Sequence, residues 1–196
     1  MKLSLHLLVV LLVSACAGGP FGEAGTFLPP KHREALQAAK VCCASYRDIQ
    51  YAKLQRGIET KIVVSTESPV FEFDGRRSFF AAFELPPGTN RVLVVTTVPV
   101  NMLWNRTGHV MIPTVLFLDD SYQPYRNIYP PYQTDSQPFR GSWAQGQIEI
   151  PKDARYVILL EGPAGGLAWR DRDQASGSLF VRGGPTGEIV VSLFGT

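Results

Sequence analysis

The chain is predicted to be all-β, built as one antiparallel β-sandwich behind a short helix. Two observations predict it. About nine short runs rich in Val, Ile, Leu and Phe follow one another between residues 61 and 195, each closed by Pro, Gly, Asp or Asn. No helical pattern of crossover size separates them, which removes the βαβ architectures.

The N-terminal end is different. Lys2 precedes an apolar run, Leu3 to Val13, that is too short to span a bilayer but the right length for a signal peptide core. The run ends in Val13-Ser14-Ala15-Cys16, and small residues just before a cysteine resemble the lipobox of bacterial lipoproteins. The resemblance implies residues 1–15 as a lipoprotein signal peptide, a diacylglyceryl thioether on Cys16 and acylation of the new amino end. Each buried methylene adds about 0.8 kcal/mol, so two or three chains would hold the protein at a membrane. An ordinary secretory peptide cut near Ala15 or Ala17 is the competing reading. With Ala17 and Gly18 after the cysteine, and no aspartate there, the expected address is the periplasmic face of the outer membrane.

Residues 16–30 are rich in Gly, Ala and Pro and read as a flexible tether. Residues 31–58 read as a helix and strap. Lys31 to Lys40 holds good helix formers, and Ile49, Tyr51 and Leu54 are placed to tuck against a domain. The strap carries Cys42 and Cys43 side by side. With Cys16 lipidated, these are the remaining thiols in a compartment where disulfides persist. They are expected as a vicinal disulfide, as buried thiols, as an intermolecular bond or, last, as a redox pair, since redox centres use a CxxC spacing.

Residues 59–196 carry the strands. The runs are Lys61–Ser65, Pro69–Phe73, Ser78–Leu85, Arg91–Val100, Pro113–Asp120, Gly146–Ile150, Ala154–Gly162, Ser176–Gly183 and Gly187–Gly195. Asp74-Gly75 between the second and third is a strong hairpin signal. Jelly-roll and galactose-binding-like connectivities are the finer versions of this sandwich.

Composition excludes several functions. Removing Lys2 takes Lys plus Arg from 19 to 18 against 17 acidic residues, a net of about +1, so no broad basic field for nucleic acid exists. No cofactor motif is present, and Gly162 to Gly166 lacks the lysine of a phosphate loop. No GxSxG surrounds a serine, and His109 is the one histidine within the strand region, so catalysis is not expected. Asp119 and Asp120 are weak Ca²⁺ candidates, since two adjacent carboxylates do not specify six oxygens; Asp120 and Ser121 are instead expected to cap a turn.

One region points to binding. Tyr122, Tyr125, Tyr129 and Tyr132, four of the seven tyrosines, fall close together, followed by Phe139 and Trp143, with Arg126 and Arg140 interleaved. Aromatic rings stack on sugar faces and also anchor protein interfaces. A long loop that simply buries its own rings is the plain alternative. Pro130 and Pro131 stiffen the chain so that Tyr129 and Tyr132 are expected to point one way and act together, buried or exposed.

The segment from Pro113 to Gln133, followed by Gly141 to Leu160, resembles the maltose operon periplasmic protein (MalM-like) family. The shared pattern is a strand ending in Leu118-Asp119, a polar segment, an aromatic and Pro-rich loop with Pro124, Tyr125, Tyr129 and Tyr132, and a strand through Tyr156, Val157 and Leu159. Gly177 to Val181 resembles its closing strand region, and the resemblance covers roughly residues 49–191. Known members continue in a longer tail and look soluble, so the resemblance implies a β domain but little about maltose. The family carries no catalytic residues to transfer. The expected function is therefore a non-catalytic envelope lipoprotein that binds a protein partner or a glycan through the aromatic loop. A carbohydrate-binding module and a minor envelope hydrolase are the alternatives.

Overall fold

The computed structural model describes residues 30–88, 91–99, 107–137, 141–163 and 180–195. Among them, α1 (Pro30–Ala38) and a 3-10 turn at Tyr46–Asp48 precede thirteen strands. These are β1 (Ala52–Lys53), β2 (Thr60–Val64), β3 (Val70–Phe73), β4 (Arg76–Glu84), β5 (Val92–Val98), β6 (Thr107–Val110) and β7 (Pro113–Leu118). They continue as β8 (Pro124–Ile128), β9 (Gln133–Gln137), β10 (Gly141–Glu149), β11 (Tyr156–Glu161), β12 (Phe180–Gly183) and β13 (Gly187–Phe194). One main sheet runs β1-β4-β11-β7-β8, with β3 also paired to β4; the other main sheet runs β2-β13-β5-β10-β9, and β12 with β6 forms a small two-stranded sheet. The fold is thus two-sheet, largely β and mostly antiparallel, consistent with a β-sandwich.

Alternation within the strands builds the core between the sheets. Phe79 and Phe83 of β4, Val115 and Phe117 of β7, and Val157 and Leu159 of β11 face Leu93 and Val95 of β5 and Ile189, Val191 and Leu193 of β13. Truncating a ring such as Phe79 or Phe117, both 0% exposed, would cost about 3–5 kcal/mol.

The first sheet is apolar on its other face too. Phe80, Ala82, Leu116, Leu118, Ile158 and Leu160 alternate with the inward set and need their own cover. The strap supplies it. Val41 bridges Val70, and the Cys42 amide donates to the Val70 carbonyl at 2.8 Å. The Tyr46 ring lies 5.2 Å from Phe71, Ile49 is buried, and Leu54 reaches the inter-sheet core. Ile49 and Leu54 therefore tuck in as their sequence position suggests. Outward positions of the second sheet, by contrast, include Thr96, Gln147 and Glu188, and no strap crosses them among the described residues.

Three departures from the predicted fold have physical reasons. The sheets are not wholly antiparallel: β1 joins the edge of β4 in parallel as the strap returns, and β12 runs parallel to β6. Four strands lie outside the predicted runs. Of these, β8 and β9 are edge strands with polar sequences, paired through backbone bonds that periodicity does not report. The third departure is at β10, which begins at Gly141 rather than Gly146. The predicted hairpin forms between β3 and β4, with φ of 49° at Asp74 and 77° at Gly75, the left-handed pair that a two-residue turn requires.

Arg91 pins one end of the sandwich. It is 4% exposed and donates to the carbonyls of Pro86, Pro151, Lys152 and Ala154 at 2.9–3.1 Å. Burial lowers its pKa, and these four acceptors satisfy the charge. No described helix is long and apolar enough to cross a membrane.

Candidate functional site

The aromatic stretch is not one loop. β8 lies at the edge of the first sheet and β9 at the edge of the second, so Tyr129 to Tyr132 forms a crossover between the sheets. Its residues divide among three surroundings.

Tyr122 packs against the strap. It occupies the turn after β7 with φ of 63° and stacks on Tyr156 at 4.7 Å and 12°. Tyr51 closes the trio, 4.5 Å from Tyr156, and its hydroxyl donates to the Tyr46 carbonyl at 2.8 Å. The Tyr156 hydroxyl donates to that of Tyr122 at 3.1 Å, and the Arg47 guanidinium sits 5.7 Å from the Tyr122 ring. Burial holds the Tyr51 hydroxyl far above its ordinary pKa; the bond to Tyr122, then burial, raises that of Tyr156. These rings fasten the strap to the sheet. Nearby, Cys42 and Cys43 are joined by a disulfide, with Cys42 exposed and Cys43 half-buried against the outer-face cluster.

Tyr129 and Tyr132 touch edge to face at 5.6 Å, yet their surroundings differ. Tyr132 is half-buried and packs against the inter-sheet core and the Val110–Ile112–Ala144 cluster; its ring lies over Gly146 of β10 and its hydroxyl donates to the Pro113 carbonyl at 2.8 Å. Tyr129 lies over Gly162 and is 39% exposed. The expected shared role is therefore corrected. The chain turns from one sheet to the other between the two residues, so a uniform extended geometry does not persist. Gly146 and Gly162 are the enabling positions, because a Cβ at either would fall within about 3 Å of these rings. Trp143 is half-buried against Val110, Ile112 and Ala144.

Tyr125 stands apart. It is 45% exposed and lines an open cleft of about 570 Å³ with Asp119, Asp120, Lys152, Asp153 and Arg155. Arg91 braces the walls through its bonds to Pro86 and to residues 151–154. Partial desolvation, then the charges of Asp153, Asp119 and Asp120, raise the pKa of the Tyr125 hydroxyl. Arg155 is engaged with Glu84 at 2.6 Å.

Asp119, rather than Asp120, closes the turn. Its Oδ1 accepts from the Ser121 and Gln123 amides, both at 2.8 Å, while Asp120 takes only the Ser121 hydroxyl at 3.3 Å. The carboxylate at position 119 is the one whose reach matches those two amides. Among the described residues no group of three His, Cys, Asp or Glu side chains is placed to hold a metal. Cys16, Phe139, Arg140 and the Arg126 side chain lie outside the described residues.

Sequence reading missed a further cluster. His32 of α1 and His109 of β6 meet at the hydroxyl of Thr186. No sequence signal joins three residues so far apart.

No protein-family profile, no curated protein and no solved structure matches this chain.

Proposed function

We propose that the chain is a non-catalytic accessory lipoprotein of a bacterial envelope, anchored through Cys16 beneath the outer membrane, that binds a glycan in the cleft around Tyr125. The exposed Tyr125 ring amid unlike polar groups carries this reading. A sugar offers an apolar face and a rim of hydroxyls. A phenol ring takes the face, and the Asp120 and Asp153 carboxylates with the Lys152 ammonium take the rim. The Val13–Cys16 motif supports the anchor. The MalM-like resemblance is proposed as kinship of the β domain, with jelly-roll or galactose-binding-like connectivity as the finer version of its fold.

A protein partner is the second reading, favoured by the exposed Tyr129, since Tyr is a preferred interface anchor. A minor envelope hydrolase would be sought at His109, whose hydroxyl partner is Thr186.

Calorimetric titration with muropeptide glycan strands and neutral oligosaccharides tests the glycan reading. Tyr125→Ala is expected to weaken binding by about 5–30-fold, the equivalent of roughly 1–2 kcal/mol, without lowering the melting temperature. Absence of saturable binding across the panel, or equal binding by Tyr125→Ala, would reject the cleft.

A further inference from the structure

The three residues around Thr186 form a chain of hydrogen bonds with a defined proton count. Thr186 Oγ1 lies 2.8 Å from His32 Nδ1 and 3.4 Å from His109 Nε2, and the two rings are 5.6 Å apart, edge to face. His109 is 6% and Thr186 3% exposed. His32 lies on the inward stripe of α1 with Ala35, Leu36 and Ala39, the helical spacing of one face. We infer that His32, Thr186 and His109 form an acid-opened latch, which holds α1 on the two-sheet body near neutral pH and releases it when both rings are protonated.

The threonine hydroxyl has one proton. With both rings neutral, one ring donates to Oγ1 and the hydroxyl donates to the other, so both contacts at Oγ1 pair a donor with an acceptor. One cationic ring is tolerated, since the hydroxyl then passes its proton toward the neutral one. Two cationic rings leave Thr186 facing two donors. Its own proton then has no acceptor in the trio, and two like charges share a buried site. A charged His32 also adds to Lys31 and Arg33 in a first helical turn that holds no acidic residue, against the helix dipole.

The other charged groups around the latch define its range. Arg182 is the backbone register partner of His109 between β12 and β6. Arg33 binds Glu161 at 2.9 Å, and Glu34 follows on the exposed side of α1. Burial, partly offset by Arg33 and Arg76, holds the Glu161 carboxyl above its ordinary pKa, and protonating it would weaken the ion pair with Arg33. Burial, then His32, holds His109 below the usual histidine value. Its contribution to docking is therefore complete above about pH 6.5 and is lost as pH falls through the lowered value.

Release would uncover Leu36 and the mouth of a cleft of about 490 Å³ between α1 and the β3–β4 hairpin. It would also free Arg33 from Glu161, and Arg77 from the Gln37 carbonyl it holds at 2.7 Å.

Native-state hydrogen exchange on the full chain at pH 7.5 and 5.0 tests this. Protection factors of the α1 amides are expected to fall about tenfold or more, while those of β7 and β11 hold. In His32→Gln/His109→Gln the α1 protection should not change with pH. If that variant fails to fold, the single His32→Gln on the half-exposed helix serves: His109 alone is left to charge, so the pH-dependent loss of α1 protection should shrink to less than about half of the wild-type loss on a logarithmic scale. Unchanged α1 protection in the wild type would overturn the latch. So would a loss of wild-type size in either variant, or α1 and sheet amides losing protection together.

Discussion

Tyr132 offers the sharpest test of how the crossover is held. Its ring rests on Gly146 and its hydroxyl donates to the Pro113 carbonyl at 2.8 Å. Tyr132→Phe keeps the ring and removes that bond, leaving a buried carbonyl without its donor, at a cost of about 1–2 kcal/mol. Tyr132→Ala removes the ring as well and opens a cavity at the end of the core, at about 3–5 kcal/mol. For a chain of this size each kcal/mol lowers the melting temperature by about 2–4 °C. The melt should therefore drop by roughly 2–8 °C for Phe and 6–20 °C for Ala. Tyr129→Ala, which loses an exposed ring and one edge-to-face contact, should cost at most about 1.5 kcal/mol. Thermal and guanidinium unfolding followed by circular dichroism would rank the three. The pH dependence adds a check. Burial holds the Tyr132 hydroxyl well above its ordinary pKa, so its contribution is complete below about pH 10 and is lost as pH rises further. Tyr132→Phe should show a shallower alkaline loss. A Tyr132→Ala protein that melts within about 2 °C of wild type, or a costlier Tyr129→Ala, would refute the assignment of Tyr132 as the anchor.

Two further predictions concern the cysteines. Unfolded, unreduced monomer should show no free thiol at positions 42 and 43, and replacing both by serine should cost about 1–3 kcal/mol, since a bridge between neighbours closes almost no loop. Two reactive thiols would contradict the bridge. Cys16→Ser should accumulate unprocessed precursor and lose acyl labelling; soluble release of the wild-type chain after normal cleavage would remove the anchor from the proposal.

Most of the apolar strands are legible in the amino-acid sequence. The inward and outward sets of β4, β7 and β11 are continuous apolar runs, and the hairpin at Asp74-Gly75 needs only a local turn preference. The aromatic stretch is harder to read. Four tyrosines within a short span suggest one surface, but the span crosses from one sheet edge to the other. Tyr122 is thereby drawn against the strap and Tyr132 into the core, while Tyr125 faces the open cleft. Pairings such as β8 with β7 and β9 with β10 depend on backbone bonds to distant partners, so the polar residues there carry little sign of a strand.

By itself, then, the sequence determined the β class, the apolar strand runs and the apolar residues of the strap, because burial leaves a local period along the chain. Tertiary structure alone decided which aromatic rings stay exposed, that Asp119 rather than Asp120 closes its turn, and that His32 and His109 share one threonine. Those outcomes depend on contacts between segments as far apart as α1 and the start of β13, and no local pattern records which distant neighbour a side chain will meet.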